Sequence, residues 1–202
     1  MKKKYNELIA SLTDKELLYH LYLTQIILLA ISFILGFLLY DHFSYLNHIH
    51  LDDIDLVTIG IPAGVAVVIM DIGLMKWLPA SFYDDGGLNE RIFKNRHVIH
   101  ILVIALFVAF SEELLFRGII QTKVGLILAS IIFAIIHYRY LFNWFLFLNI
   151  VLLSFFIGLV YECTGNLAVT IMMHFVIDFL LGMYIKFKRS TIDNEQEGEL
   201  RE

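Results

Sequence analysis

The sequence has one cysteine, Cys163, in 202 residues. No intramolecular disulfide can form and no cysteine-based metal site can be built, so Cys163 reads as a helix-end thiol without a role. Charge is scarce too: 17% of residues are Asp, Glu, Lys or Arg, against roughly a quarter in a soluble domain. There is no basic stripe of the kind nucleic acid requires, so no nucleic-acid partner is expected. Internal repeats and low-complexity tracts are also missing. What fills the chain instead is apolar: 59% of residues are hydrophobic and the mean hydropathy is +0.75.

The apolar residues fall in blocks of about twenty, the length that crosses ~30 Å of hydrocarbon at 1.5 Å per residue. Six spans are expected, at about 21–40, 56–76, 97–120, 124–140, 141–162 and 166–187. The fold class is therefore all-α, a polytopic membrane helix bundle in a lipid bilayer. Residues 1–187 form one transmembrane domain, and 188–202 form an acidic tail expected to be solvated and disordered. Lys2, Lys3 and Lys4 precede the first span as they would a signal peptide. That span is too long for a signal's apolar region and lacks a small-residue cleavage site, so it reads as a retained helix. The fourth and fifth spans are nearly continuous, which calls for a tight turn near Arg139. Residues 81–96, with Asp84, Asp85, Arg91, Lys94 and Arg96, are too polar to span and belong at the interface. On the side of the N-terminus lie 13 of the 15 Lys and Arg residues, leaving only Arg117 and Lys123 on the other. Positive loops stay inside, so both termini are expected in the cytoplasm of a bacterial cell.

The third span contains Ser111-Glu112-Glu113-Leu114-Leu115-Phe116-Arg117, three ionisable residues in an apolar helix. Each costs roughly 2.5–3.5 kcal/mol near the bilayer centre on insertion scales, and such groups face a bundle interior or a water cavity. Residues four apart share a helix face, so Glu113 and Arg117 can pair. Glu112 sits about 100° away round the helix and needs a partner from another helix. Span four offers His137 and span six offers His174 with Asp178, which share a face. Two His and a carboxylate suit either a zinc-like divalent ion, with His137, His174 and Asp178 as ligands, or a water held by hydrogen bonds. A Glu beside that water is a candidate general base. Counted from the inner face, Glu112 lies at about 21 Å, His174 near 18 Å, and His137 and Asp178 near 12 Å, close enough for one pocket. Asp71 in span two is expected to pair with Lys76 or Arg96, and Phe133 to serve packing.

Glu112-Glu113-x-x-x-Arg117, then Phe133-x-x-x-His137, then His174-x-x-x-Asp178 resembles the CPBP family: CAAX proteases of the Rce1 type and bacteriocin-processing enzymes, also called the Abi family. Thr164-Gly165-Asn166-Leu167 is similar to the family's as well. The resemblance covers about 107–181, within a motif-bearing core of about 98–187. It implies peptide-bond hydrolysis inside the membrane, with a peptide or membrane protein as substrate. Glu112 would activate water, and His137 and His174 would hold that water or a metal. Asp178 stands where prenyl-protein members commonly have Asn, and it adds a carboxylate. Glu113 and Arg117 belong to the site as the pair that fixes its helix. Motifs of other membrane proteases are missing: there is no His-Glu-x-x-His, no Gly-x-Gly-Asp, and no Ser set between glycines. Two non-enzymatic readings stay open, a proton-coupled transporter and a binding or immunity protein of the same family.

Overall fold

The computed structural model describes the backbone of residues 2–137, 140–141 and 143–199, and the side chains of 7–41, 43–137, 140–141 and 143–188. The described residues are helical and include no strand. A short helix α1 (Lys2–Ser11) leads into α2 (Asp14–Leu39). The latter starts at Asp14 rather than at Leu21 because Thr13 and Glu16 form a capping box. The Thr13 N–H donates to Glu16 Oε2 at 2.7 Å, and the Glu16 N–H donates back to Thr13 Oγ1 at 3.3 Å. A 3₁₀ stretch, Asp41–His48, leads toward α3 (Leu56–Trp77), whose first turn, Leu56–Gly60, is π-wound. The expected interfacial segment contains a short helix, α4 (Leu88–Phe93). Arg91 of α4 fastens it to the N-terminal segment, donating to the Ile9 carbonyl at 2.7 Å and to Asp14 at 2.8 Å.

α5 (Val98–Val124) carries the acidic pair and is followed by α6 (Leu126–Ile136), α7 (Trp144–Thr164) and α8 (Leu167–Glu199). Five helices, α2, α3, α5, α7 and the Leu167–Lys188 part of α8, are long and apolar enough to cross a membrane. The sixth expected span is different. α6 has 11 residues, a rise of ~16 Å, about half the hydrocarbon thickness. It ends at His137, whose backbone (φ −77°, ψ 46°) has left the helix. The chain nevertheless arrives at the α1–α4 end of the bundle, because the Asn143 amide there donates to the carbonyls of Ser81 at 3.1 Å and Phe82 at 2.9 Å. Non-helical backbone at membrane depth is tolerated where it lines a cavity, and His137 does. The turn expected at Arg139 lies outside the described residues, as do the side chains of the acidic tail beyond Lys188.

Burial is inverted relative to a soluble domain. Phe37 and Leu38 on α2 are 72% and 67% exposed, forming part of an apolar outer belt. Glu113, Arg117, Ser154 and Thr170 are fully buried. Helices in lipid gain no hydrophobic drive from meeting each other, so close packing has to hold them. Gly60 and Gly64 of α3 supply it: a Cβ added at either would stand 2.9 Å from the Val169 carbonyl or 2.8 Å from the Met173 carbonyl of α8. This contact seats α3 against the turn of α8 that carries His174.

Candidate active site

α5 is widened into a π-helix from Leu114 to Gln121, starting immediately after the acidic pair. Of these eight residues all but Ile120 are buried, so the stretch is surrounded by its neighbours. π-winding inside an α-helix often marks a functional position. Glu113 keeps Arg117 within reach across this turn, with Arg117 Nε 3.4 Å from Glu113 Oε2. The Arg117 guanidinium also donates through Nη2 to the Ser154 carbonyl at 3.0 Å and lies 5.1 Å from the centre of the Phe133 ring.

The other oxygen of Glu113 takes His174, at 2.9 Å from Nδ1. A carboxylate only accepts, so Nδ1 carries a proton, and Nε2 on the other side of the ring stands 3.6 Å from Asp178 Oδ2. Arg117, Glu113, His174 and Asp178 thus form a chain running from the interior to the cavity wall. Glu112 faces away from it and meets the broken end of α6, its Oε2 3.8 Å from His137 Nε2. His137 Nδ1 is 2.8 Å from the Phe133 carbonyl, one turn back. That carbonyl accepts, so Nδ1 holds a proton and Nε2 is the nitrogen turned toward Glu112. Phe133 stacks on the His137 ring, 4.4 Å between centroids, and meets Phe116 edge-on at 4.7 Å. Its part is packing, in support of the histidine.

Glu112, His137, His174 and Asp178 all line one cavity of about 920 Å³, which extends to Tyr83, Asp85 and Glu90 at the α1–α4 end. The six residues singled out by the motifs therefore converge as two groups, Glu112 with His137, and Glu113 with Arg117, His174 and Asp178. Glu113 is more central than the sequence suggests, since it joins the arginine to a histidine on another helix. Two expectations change. Asp71 makes no ion pair with Lys76 or Arg96. The expected ligand set of His137, His174 and Asp178 does not assemble: no three His, Cys, Asp or Glu among the described residues form a group that could hold a metal ion. The physical reason is that Nδ1 of each histidine is spent, one on the Phe133 carbonyl and the other on Glu113, and the two Nε2 atoms turn to different carboxylates.

Sequence reasoning also passed over Asn166 as a structural clip. Its amide donates to the His50 carbonyl at 2.9 Å and to Asp53 Oδ2 at 3.1 Å, while its Oδ1 accepts the N–H groups of His50 at 3.1 Å and Ala168 at 2.9 Å. The loop before α3 is thereby tied to the start of α8. Its place beside Gly165, a left-handed helix terminator at φ 63°, was the available signal.

A bundle of membrane-crossing helices around a buried carboxylate–histidine cluster defines a polytopic membrane protein. Residues 94–180, the stretch holding every residue of that site, match the family described as type II CAAX prenyl endopeptidase Rce1-like. The chain is 44% identical over 145 residues to the protein YpbD of Bacillus subtilis (strain 168), covering 72% of this chain and 77% of that one. It is 30% identical over 112 residues to the UPF0177 protein YxdF of Lactococcus lactis subsp. lactis (strain IL1403), covering 53% of this chain and 62% of that one. No solved structure matches. The chain belongs to the Rce1-like family of CAAX-type endopeptidases, and it is an integral membrane protein.

Proposed function

We propose that this protein hydrolyses a peptide bond within the membrane, with Glu112 as the general base. The observation that carries the reading is the Glu112–His137 pair, 3.8 Å apart on the wall of a cavity large enough for a peptide segment. A carboxylate and a lone-pair nitrogen are both acceptors, and a water between them donates one O–H to each. Its own lone pairs are then directed away from the pair, toward a bound carbonyl carbon. Glu112 takes one proton and the hydroxide adds to the carbonyl, while His174, protonated on both nitrogens between Glu113 and Asp178, donates from Nε2 to the tetrahedral oxyanion. The proton on Glu112 passes to the amine nitrogen as the C–N bond breaks, and the hydroxyl proton that remains on the new acid follows to the amine through His137, leaving a carboxylate and an ammonium. Glu113 with Arg117 orients His174, and Asp178 stands beside its Nε2. No step runs through a metal.

The test is cleavage of a quenched fluorescent peptide library by protein purified in detergent, wild type beside Glu112→Gln. A positioned general base contributes typically 10²–10⁴-fold, so the variant should lose at least a hundredfold in kcat/KM while keeping its melting temperature. Equal cleavage by both proteins would remove Glu112 from the mechanism. Cleavage by neither, together with peptide binding by both, would favour a non-enzymatic binding protein of the same family.

A further inference from the structure

The cavity continues past the candidate catalytic residues toward the α1–α4 end, and three polar groups there have no role in the chemistry proposed above. Asp71 of α3 and Asn149 of α7 line it from two different helices. Each interrupts an apolar helix, and neither side chain has a hydrogen-bond or ion-pair partner among the described residues. Counted along the helices, Asp71 lies ~9 Å from Trp77 and Asn149 ~8 Å from Trp144, so the two stand at one depth. Tyr83 joins them. Its ring packs edge-on against Phe145, 5.3 Å between centroids and one turn before Asn149 on the same helix. Its hydroxyl is buried, lacks a hydrogen-bond partner, and belongs to the same cavity lining. Burial pushes that hydroxyl's pKa up, and the charge of Asp71 adds to the effect.

Polar groups in an apolar wall cost free energy unless something hydrogen-bonds to them. The lining also has a sign. Among the described lining residues five are carboxylates, Asp71, Asp85, Glu90, Glu112 and Asp178, and one is a lysine, Lys188. An apolar-walled cleft of one sign focuses the field and concentrates the opposite charge. We infer that Asp71, Tyr83 and Asn149 form a specificity subsite for a cationic side chain, Lys or Arg, of a peptide entering from the α1–α4 end. Asp71 takes the charge, and Tyr83 and Asn149 bond the neighbouring peptide groups. Glu112, ~21 Å up α5 from Val98, lies roughly 12 Å further along the bundle. At about 3.3 Å per extended residue the cation falls two to four residues from the scissile bond.

This inference rests on the peptidase reading for its substrate and is separable from it by experiment. The probes are N-terminally blocked, fluorescein-labelled Leu/Ala decapeptides. Each carries one Lys, or its uncharged counterpart norleucine, stepped through every position. Binding is read by fluorescence anisotropy on wild type, Glu112→Gln, Asp71→Asn and Asp71→Glu in detergent micelles. At one position Lys should bind about tenfold tighter than norleucine to wild type and to Glu112→Gln alike. Asp71→Asn should lose that preference while binding norleucine as before, and Asp71→Glu should keep it. Norleucine binding reports folding. If Asp71→Asn binds neither probe, Asp71→Glu decides: loss of the preference there overturns the assignment, and retention supports it. Absence of a Lys preference at every position in wild type, or its persistence in Asp71→Asn, also overturns it. Cleavage is followed in the same samples, so a protein that binds Lys probes through Asp71 and cuts none refutes the peptidase and leaves the subsite standing.

Discussion

Arg117→Met keeps a side chain of similar length and removes its guanidinium. The partner left behind, Glu113, is wholly buried, and its Oε2 atom has Arg117 Nε as neighbour at 3.4 Å. Removing one member of a buried ion pair costs about 3–5 kcal/mol, because the other charge stays desolvated and uncompensated. The contact of the guanidinium with the Phe133 ring adds about 0.5–2 kcal/mol, and Nη2 gives up its bonds to the Ser154 carbonyl and hydroxyl at 3.0 and 3.3 Å. Against this, Glu113 retains His174 at 2.9 Å, which holds the net loss to about 3–4 kcal/mol. That is a large fraction of the ~5–15 kcal/mol by which folded proteins exceed their unfolded states. Glu113→Gln removes the stranded charge, so the double variant Glu113→Gln/Arg117→Met should recover more than half of the loss. Unfolding of the purified proteins in mixed detergent micelles, followed by circular dichroism, measures all four corners of the cycle. An Arg117→Met protein within about 1 kcal/mol of wild type, or a double variant as unstable as the sum of its parts, would refute the buried-pair argument.

Two further perturbations test the frame around the site. Gly64→Val places a Cβ 2.8 Å from the Met173 carbonyl, where backbone must yield; it should destabilise by about 1–3 kcal/mol and lower cleavage by displacing His174, whereas Gly73→Ala, with nothing within 4 Å, should do neither. Melting curves and peptide cleavage on the pair check this. Asn166→Ala opens the clip to the 50–53 loop and should cost about 1–3 kcal/mol at neutral pH. The same change alters acid sensitivity. The Asp55 N–H, and then the Asn166 amide, hold the Asp53 carboxyl below the usual carboxylate range. A depressed folded pKa gives stability that is present above the unfolded pKa of ~3.9 and is lost as pH falls through the folded value. Melting temperature in wild type should therefore drop on acidification below about pH 4, and Asn166→Ala should show a shallower drop, with equal slopes counting against the clip.

Sequence alone determined the membrane character and the all-α class, and singled out six residues that the fold gathers in two groups, because lipid imposes simple rules. Crossing ~30 Å of hydrocarbon requires about twenty apolar residues, and an ionisable group placed there needs a reason to be there. Spacing along one helix was equally legible: Glu113 with Arg117, and His174 with Asp178, pair as residues four apart do. Tertiary structure decided what periodicity does not encode. Residues 124–140 read as a full span, since their apolar run is as strong as any other, yet α6 within them ends at His137, where the departing backbone lines a cavity rather than lipid. Glu113 read as the partner of Arg117 alone, yet α8, seated on Gly60 and Gly64 of α3, brings His174 to its second oxygen. The same packing sends the two histidines to separate carboxylates and leaves Asp71 without the lysine or arginine that its sequence neighbours offered. Which groups meet across helices depends on how closely backbones approach, and that is set by shape in three dimensions.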